Sequence, residues 1–109
     1  MTVLVDIAAA VICFGGICHP ALIGTTTPRG EYTLELVQTK QPNYGGTILK
    51  FKETKSYIFA VHRTWPGREA KYILASDQRR RITKGCINVE PAIYRALVEC
   101  CSGASITIQ

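Results

Sequence analysis

The run Ser56-Tyr57-Ile58-Phe59-Ala60-Val61-His62 restricts the fold more than any other stretch of the chain. It is rich in β-formers and apolar at successive positions, so both faces of the strand it forms must be covered. Such a strand sits inside a sheet, with neighbours on both edges. The chain offers several. Residues 2–14 and 17–24 read as a β-hairpin turning at Gly15-Gly16, a pair suited to a two-residue primed turn. That turn sets Phe14 opposite Ile17 and Cys13 opposite Cys18, the cysteines a non-hydrogen-bonded pair with Cα atoms roughly 4.5 Å apart. This lies at the short end of disulfide geometry, and two small buried thiols are preferred over a bridge.

Residues 25–30 turn around Pro28 and Gly30. Residues 31–37 alternate as a strand, 41–46 form a loop, and 47–52 form a weaker strand that alternates Ile48 and Phe51 with polar residues. Residues 63–81 have no clear period. Within them Trp65-Pro66-Gly67 turns, 71–75 suggest a short helix or strand, and the remainder reads as a binding or active-site loop. Residues 91–101 read as a helix. Pro91 suits its first position, Ile93, Leu97, Cys100 and Cys101 form one buried stripe, and Gly103 stops it. Residues 104–109 close the chain as an alternating strand. The expected fold class is mainly β (β-rich α+β): one domain over residues 1–109, with one packed helix.

A net charge of +5, from 13 basic and 8 acidic residues, favours acidic partners. The basic residues are scattered apart from Arg79-Arg80-Arg81, which reads as a solvated face. The apolar residues 3–14 lack a basic leader, carry Asp6 and end at Gly15-Gly16. They fall short of the ~20 apolar residues a membrane span needs, so a buried strand is expected, with no export signal and no stable membrane insertion.

Cys13, Cys18, Cys86, Cys100 and Cys101 have no zinc-type spacing, so no metal is expected. An odd number leaves one thiol unpaired within the chain. Cys100 and Cys101 end a helix, where the dipole disfavours a thiolate, and Cys13 and Cys18 lie among apolar residues. Cys86 alone follows a glycine, has polar neighbours and precedes a helix start, whose N–H groups and dipole favour a thiolate. From spacing alone, a nucleophile and an inert buried thiol fit it equally well. His19, beside Pro20, reads as structural. His62 ends the central strand, and its pairing with Cys86 argues for a base.

The segment Thr83-Lys84-Gly85-Cys86-Ile87-Asn88 resembles the L,D-transpeptidase signature Ser/Thr-His-Gly-Cys-apolar-Asn/Arg. Thr27-Pro28-Arg29-Gly30-Glu31-Tyr32 resembles that family's Thr-Pro-x-Gly-Thr/Glu-Phe/Tyr segment, and His62 lies at a strand end as the family's histidine does. The opening hairpin and closing strand fit as well. Lys84 departs from the usual histidine, Arg63 from a small residue, and the interval from His62 to Cys86 is a few residues longer than in many members.

The resemblance implies a mixed β-sheet sandwich or barrel acting on peptidoglycan stem peptides in the periplasm or cell envelope, as a monomer and without a cofactor. It makes Cys86 the nucleophile and His62 the base. It gives the backbone N–H groups of Lys84, Gly85 and Cys86 to an oxyanion hole, with Thr83 and Asn88 ordering the loop. Arg63, Arg81 and Lys84 are candidates for stem carboxylates. Transpeptidation is expected, with L,D-carboxypeptidase action or a delivered wall-targeting toxin domain as alternatives. A more distant alternative is a nucleic-acid-binding module that stacks bases on Tyr44, Tyr57, Phe59 and Trp65 beside Arg79, Arg80 and Arg81.

Overall fold

The computed structural model describes residues 2–65 and 79–109. The strands are β1 (Thr2–Asp6), β2 (Val11–Phe14), β3 (Ile17–Pro20), β4 (Gly30–Thr33), β5 (Glu35–Gln38), β6 (Thr47–Glu53), β7 (Ile58–Arg63), β8 (Ile87–Val89) and β9 (Ser105–Ile108). One α-helix, α1 (Pro91–Cys101), and two short 3₁₀ turns (Pro42–Tyr44 and Arg79–Arg81) complete the described elements. The expectations for 65–67 and 71–75 fall wholly or partly on residues 66–78, outside the described residues.

The strands form two mixed sheets, in the orders β3-β2-β1-β9-β4 and β5-β6-β7-β8. In the first, the closing strand β9 is parallel to β1 and antiparallel to β4, which ties the end of the chain to its beginning. In the second, β7 lies between β6 and β8, as its two-sided apolar character requires. One core joins both sheets and the helix. Val3, Val5, Ile12, Ile106 and Ile108 come from the first sheet, and Leu49, Val61, Ile87 and Val89 from the second.

Four local readings change. The first strand breaks at residues 7–10, where Asp6 Oδ1 accepts the Ala9 N–H at 3.2 Å and Ala10 takes φ 55°. An Asx-type turn needs no glycine or proline, so the apolar run conceals it. Residues 31–37 divide into β4 and β5, which belong to different sheets. Leu34 sits fully buried at the crossing, where its N–H donates to Ala104 O and its carbonyl accepts from Gly103 N. β6 is far from weak: it pairs along both edges, and a register shift between Lys50 and Lys52 disturbs its alternation around Phe51. On α1 the buried stripe is Tyr94, Leu97 and Cys101, with Cys100 exposed.

The cysteines change too. Cys13 and Cys18 face each other as expected but are bonded, with Cα atoms 4.0 Å apart. Cys18 is exposed, so burial does not hold the pair as thiols. Cys100 and Cys101 are also bonded to each other. No pattern signals that bridge, since neighbours on a helix point about 100° apart. Cys86 is the remaining free cysteine.

Candidate active site

Side chains alternate across a strand, so β7 divides its last two residues between opposite faces. In the parallel β7–β8 register, Val61 pairs with Ile87 and His62 with Asn88. Val61 and Ile87 face the core. His62 and Asn88 face the other way, together with Ala60 and Cys86 one pleat earlier. Cys86 and His62 line the same two cavities on that face, of about 390 and 320 Å³. Tyr44, Tyr57, Thr83, Lys84 and Asn88 contribute to the larger one.

The carbonyl of Arg63 can only accept a hydrogen bond. His62 Nδ1, 2.9 Å from it, therefore carries the proton, and the basic lone pair lies on Nε2. His62 is 4% exposed, and its ring packs against Tyr44 at a centroid distance of 4.5 Å, which limits its rotation. Nε2 is thereby the nitrogen suited to exchange a proton within the cavity.

Cys86 sits at the end of a loop tightly bound to its surroundings. Thr83 Oγ1 donates to Cys86 O at 2.6 Å and accepts the Gly85 N–H at 3.1 Å. Thr26 Oγ1 donates to Lys84 O at 2.8 Å, which joins the 25–30 turn to this loop. Ile23 O accepts from the N–H groups of both Ile82 and Thr83. Gly85 takes φ 134°, and a Cβ there would stand 2.5 Å from Phe59 Cε1, so only glycine fits.

These bonds alter the expected oxyanion hole. The Gly85 N–H is directed to Thr83 Oγ1, which leaves Lys84 and Cys86 as backbone donors with no acceptor among the described residues. The helix also contributes less than its sequence proximity implies. β8 intervenes, and five near-extended residues carry Pro91 on the order of 15 Å from Cys86. The helix dipole fades within a turn, so it does not act on this sulfur.

Tyr57 also belongs to this site, although the sequence pattern marks it only as an aromatic suited to base stacking. Its hydroxyl lies 3.7 Å from Cys86 Sγ, and Sγ is 3.6 Å from Ile58 O. Burial, followed by the hydrogen bond to Cys86 and the charges of Cys86 and Tyr44, pushes the Tyr57 hydroxyl up to about 12. Tyr57 thus keeps its proton across the neutral range, beside the sulfur. Burial, then the charge of Cys86, also raises Tyr44. Tyr57 heads the β7 run at an odd spacing from His62, which no motif marks.

Asn88 is 2% exposed, and its Oδ1 has no hydrogen-bond partner among the described residues although it lines the Cys86 cavity. Lys84 borders the cavity from an exposed position. Arg63 lies outside it, in an adjoining groove, and Arg81 lines none of the described cavities. The arginine triplet is not simply a solvated face: Arg79 donates to Ala9 O and Ala10 O, and Arg80 to Ala8 O. These contacts hold the 7–10 turn. Tyr44 lies against His62, and a Cβ on Gly85 would strike the Phe59 ring, so the stacking set named for nucleic acid is engaged around the Cys86 site.

No protein-family model and no curated protein matches the sequence. Solved structures do match. An L,D-transpeptidase from Mycobacterium smegmatis superposes with TM-score 0.63 at 23% identity, over 99% of this chain and 58% of that one. L,D-transpeptidase 3 from Mycobacterium tuberculosis gives TM-score 0.65 at 15% identity, over 99% and 60%. The fold is that of the L,D-transpeptidases. A further L,D-transpeptidase, solved in complex with imipenem, matches with TM-score 0.63 at 20% identity, over 99% and 58%. The chain thus spans about three-fifths of these L,D-transpeptidase chains.

Proposed function

We propose that the protein is a cysteine-dependent L,D-transpeptidase acting on peptidoglycan stem peptides in the cell envelope. One observation carries the reading. The free cysteine and a buried histidine, its tautomer set by a backbone carbonyl, line one cavity on a sheet face with this fold.

In this mechanism His62 Nε2 takes the thiol proton of Cys86. The sulfur attacks the carbonyl between the L-centre and D-alanine of a tetrapeptide stem. Negative charge develops on the carbonyl oxygen, and the Lys84 and Cys86 N–H groups stabilise it. The C–N bond breaks, His62 returns the proton to the leaving amine, and D-alanine departs from a thioester. An amine from a second stem then attacks the thioester, which gives a 3-3 cross-link. Water instead completes a carboxypeptidase cycle, and a free D-amino acid an exchange.

Thr83 holds the loop through its two hydrogen bonds. Tyr57 steadies the sulfur from the opposite wall.

The test is the product spectrum from purified tetrapeptide-stem muropeptides, with intact-mass measurement after exposure to a carbapenem. The parent should form a cross-linked, trimmed or exchanged product and a single covalent adduct. Cys86→Ala should reduce both by ~10³ or more. Absence of any adduct on the parent, or an adduct surviving Cys86→Ala, removes the reading.

A further inference from the structure

The alternation that sends His62 towards Cys86 sends Arg63 to the opposite face of β7, where α1 packs. There it lines a groove of about 270 Å³ together with Arg95, Thr47, Tyr94 and Pro91. Tyr44 borders this groove and both cavities that contain Cys86. The groove and the reactive cavity therefore share one lining side chain.

Its chemistry differs from that of the reactive cavity. Among the described residues two guanidinium groups line it and no acidic residue does. Neither Arg63 nor Arg95 has an ion-pair or hydrogen-bond partner among the described residues, whereas Lys50 on the same sheet is paired with both Glu35 and Glu53. Glu90, at the N-cap of α1, and Glu99, one turn beyond Arg95, do not line the groove. Hydroxyls add to its polarity, since Tyr94 and Thr47 are bonded to each other at 2.9 Å. The chain also clears a seat for Arg63. Gly45 follows the Pro42–Tyr44 turn at φ 73°, and a Cβ there would collide with Arg63 Nε.

We propose that this groove is a second subsite that binds a free carboxylate of the peptide stem between Arg63 and Arg95. Arginine is suited to the task because its planar fork meets a carboxylate through two parallel N–H···O bonds. A stem anchored there by its carboxylate crosses Tyr44 and presents an amide to Cys86. The subsite sets specificity for acidic over amidated stems and rests on the reading of Cys86 as a site for peptides.

The experiment measures equilibrium binding of an acidic tetrapeptide stem and of its fully amidated counterpart to Cys86→Ala protein, which cannot turn either over. The acidic stem should bind about tenfold more tightly, the increment typical of a charge-assisted pair. Adding Arg63→Gln or Arg95→Gln should bring the ratio towards one, and Arg95→Lys should leave an intermediate ratio. Circular dichroism and melting curves confirm that each variant is folded, and the conservative lysine variant keeps the test available should a glutamine variant not fold. Equal binding of the two stems, or a ratio unchanged in both glutamine variants, overturns the subsite. Carbapenem labelling of protein with Cys86 intact separates the two claims. Labelling without carboxylate preference defeats the subsite alone, and arginine-dependent preference without labelling keeps the subsite and defeats the transpeptidase reading.

Discussion

The five-stranded sheet buries Val3, Val5, Ile12, Ile106 and Ile108, and a disulfide ties its outer hairpin. The four-stranded sheet also buries one face, through Leu49, Val61, Ile87 and Val89. Its other face differs: it carries Cys86, His62 and an Asn88 oxygen that no described group satisfies. A buried acceptor without a partner typically costs ~1–3 kcal/mol, so a face that keeps one is not built for stability alone. The core faces hold the fold, and the open face is available for chemistry. Substitutions in the two regions should therefore separate stability from reactivity.

The largest expected effect lies in the core. Leu97, fully buried on α1, should destabilise the protein by ~2–5 kcal/mol on change to alanine, while carbapenem acylation per folded molecule stays near the parent rate. Denaturant melts and acylation rates on the same sample check this, and a lost acylation rate in fully folded protein would break the division. Gly85→Ala should do the reverse. The Cβ forces Phe59 or the loop to move, displaces Thr83 and the N–H donors, and should slow acylation by ~10². Removing the hairpin bridge with Cys13→Ala and Cys18→Ala together should lower stability by about 2 kcal/mol, from the loop-closure entropy of a short loop. Acylation of Cys86 should be unchanged.

Tyr57 sharpens the comparison at the smallest scale. Tyr57→Phe deletes one hydroxyl beside sulfur and should slow acylation about three- to tenfold, the loss expected for one hydrogen bond, with little change in melting. Its titration gives an independent check. The folded value of about 12 exceeds that of free tyrosine near 10. Between those values the unfolded chain loses a proton that the folded protein keeps. The contribution of Tyr57 to stability is then complete below pH ~10 and disappears as pH rises towards 12. Cys86→Ala removes two of the causes of the rise, so ultraviolet titration should show Tyr57 ionising closer to the free value. A Tyr57 midpoint unmoved by that substitution would deny the contact.

The course of β7 was legible because a two-sided apolar run has few homes. The Gly15-Gly16 turn and the register opposing Cys13 to Cys18 were legible because turn geometry fixes pairing locally. The division of 31–37 between two sheets was not, since a strand looks the same whichever sheet it joins. Asp6 in the sequence argues only against a membrane span, yet its side chain makes the turn that ends β1.

The sequence by itself determined the short-range parts of the site: a glycine that only glycine can replace, the cysteine after it, a threonine within reach of both, and a histidine ending a central strand. Their arrangement was legible because the motif is local. The groups that surround them come from the packing of distant segments. That packing placed Tyr57 beside the sulfur, engaged the Gly85 N–H, set β8 between Cys86 and the helix, and sent Arg63 to a separate groove beside Arg95. Such contacts depend on strand register and sheet order, which bring residues 28 to 58 positions apart within bonding distance. No local pattern records that distance.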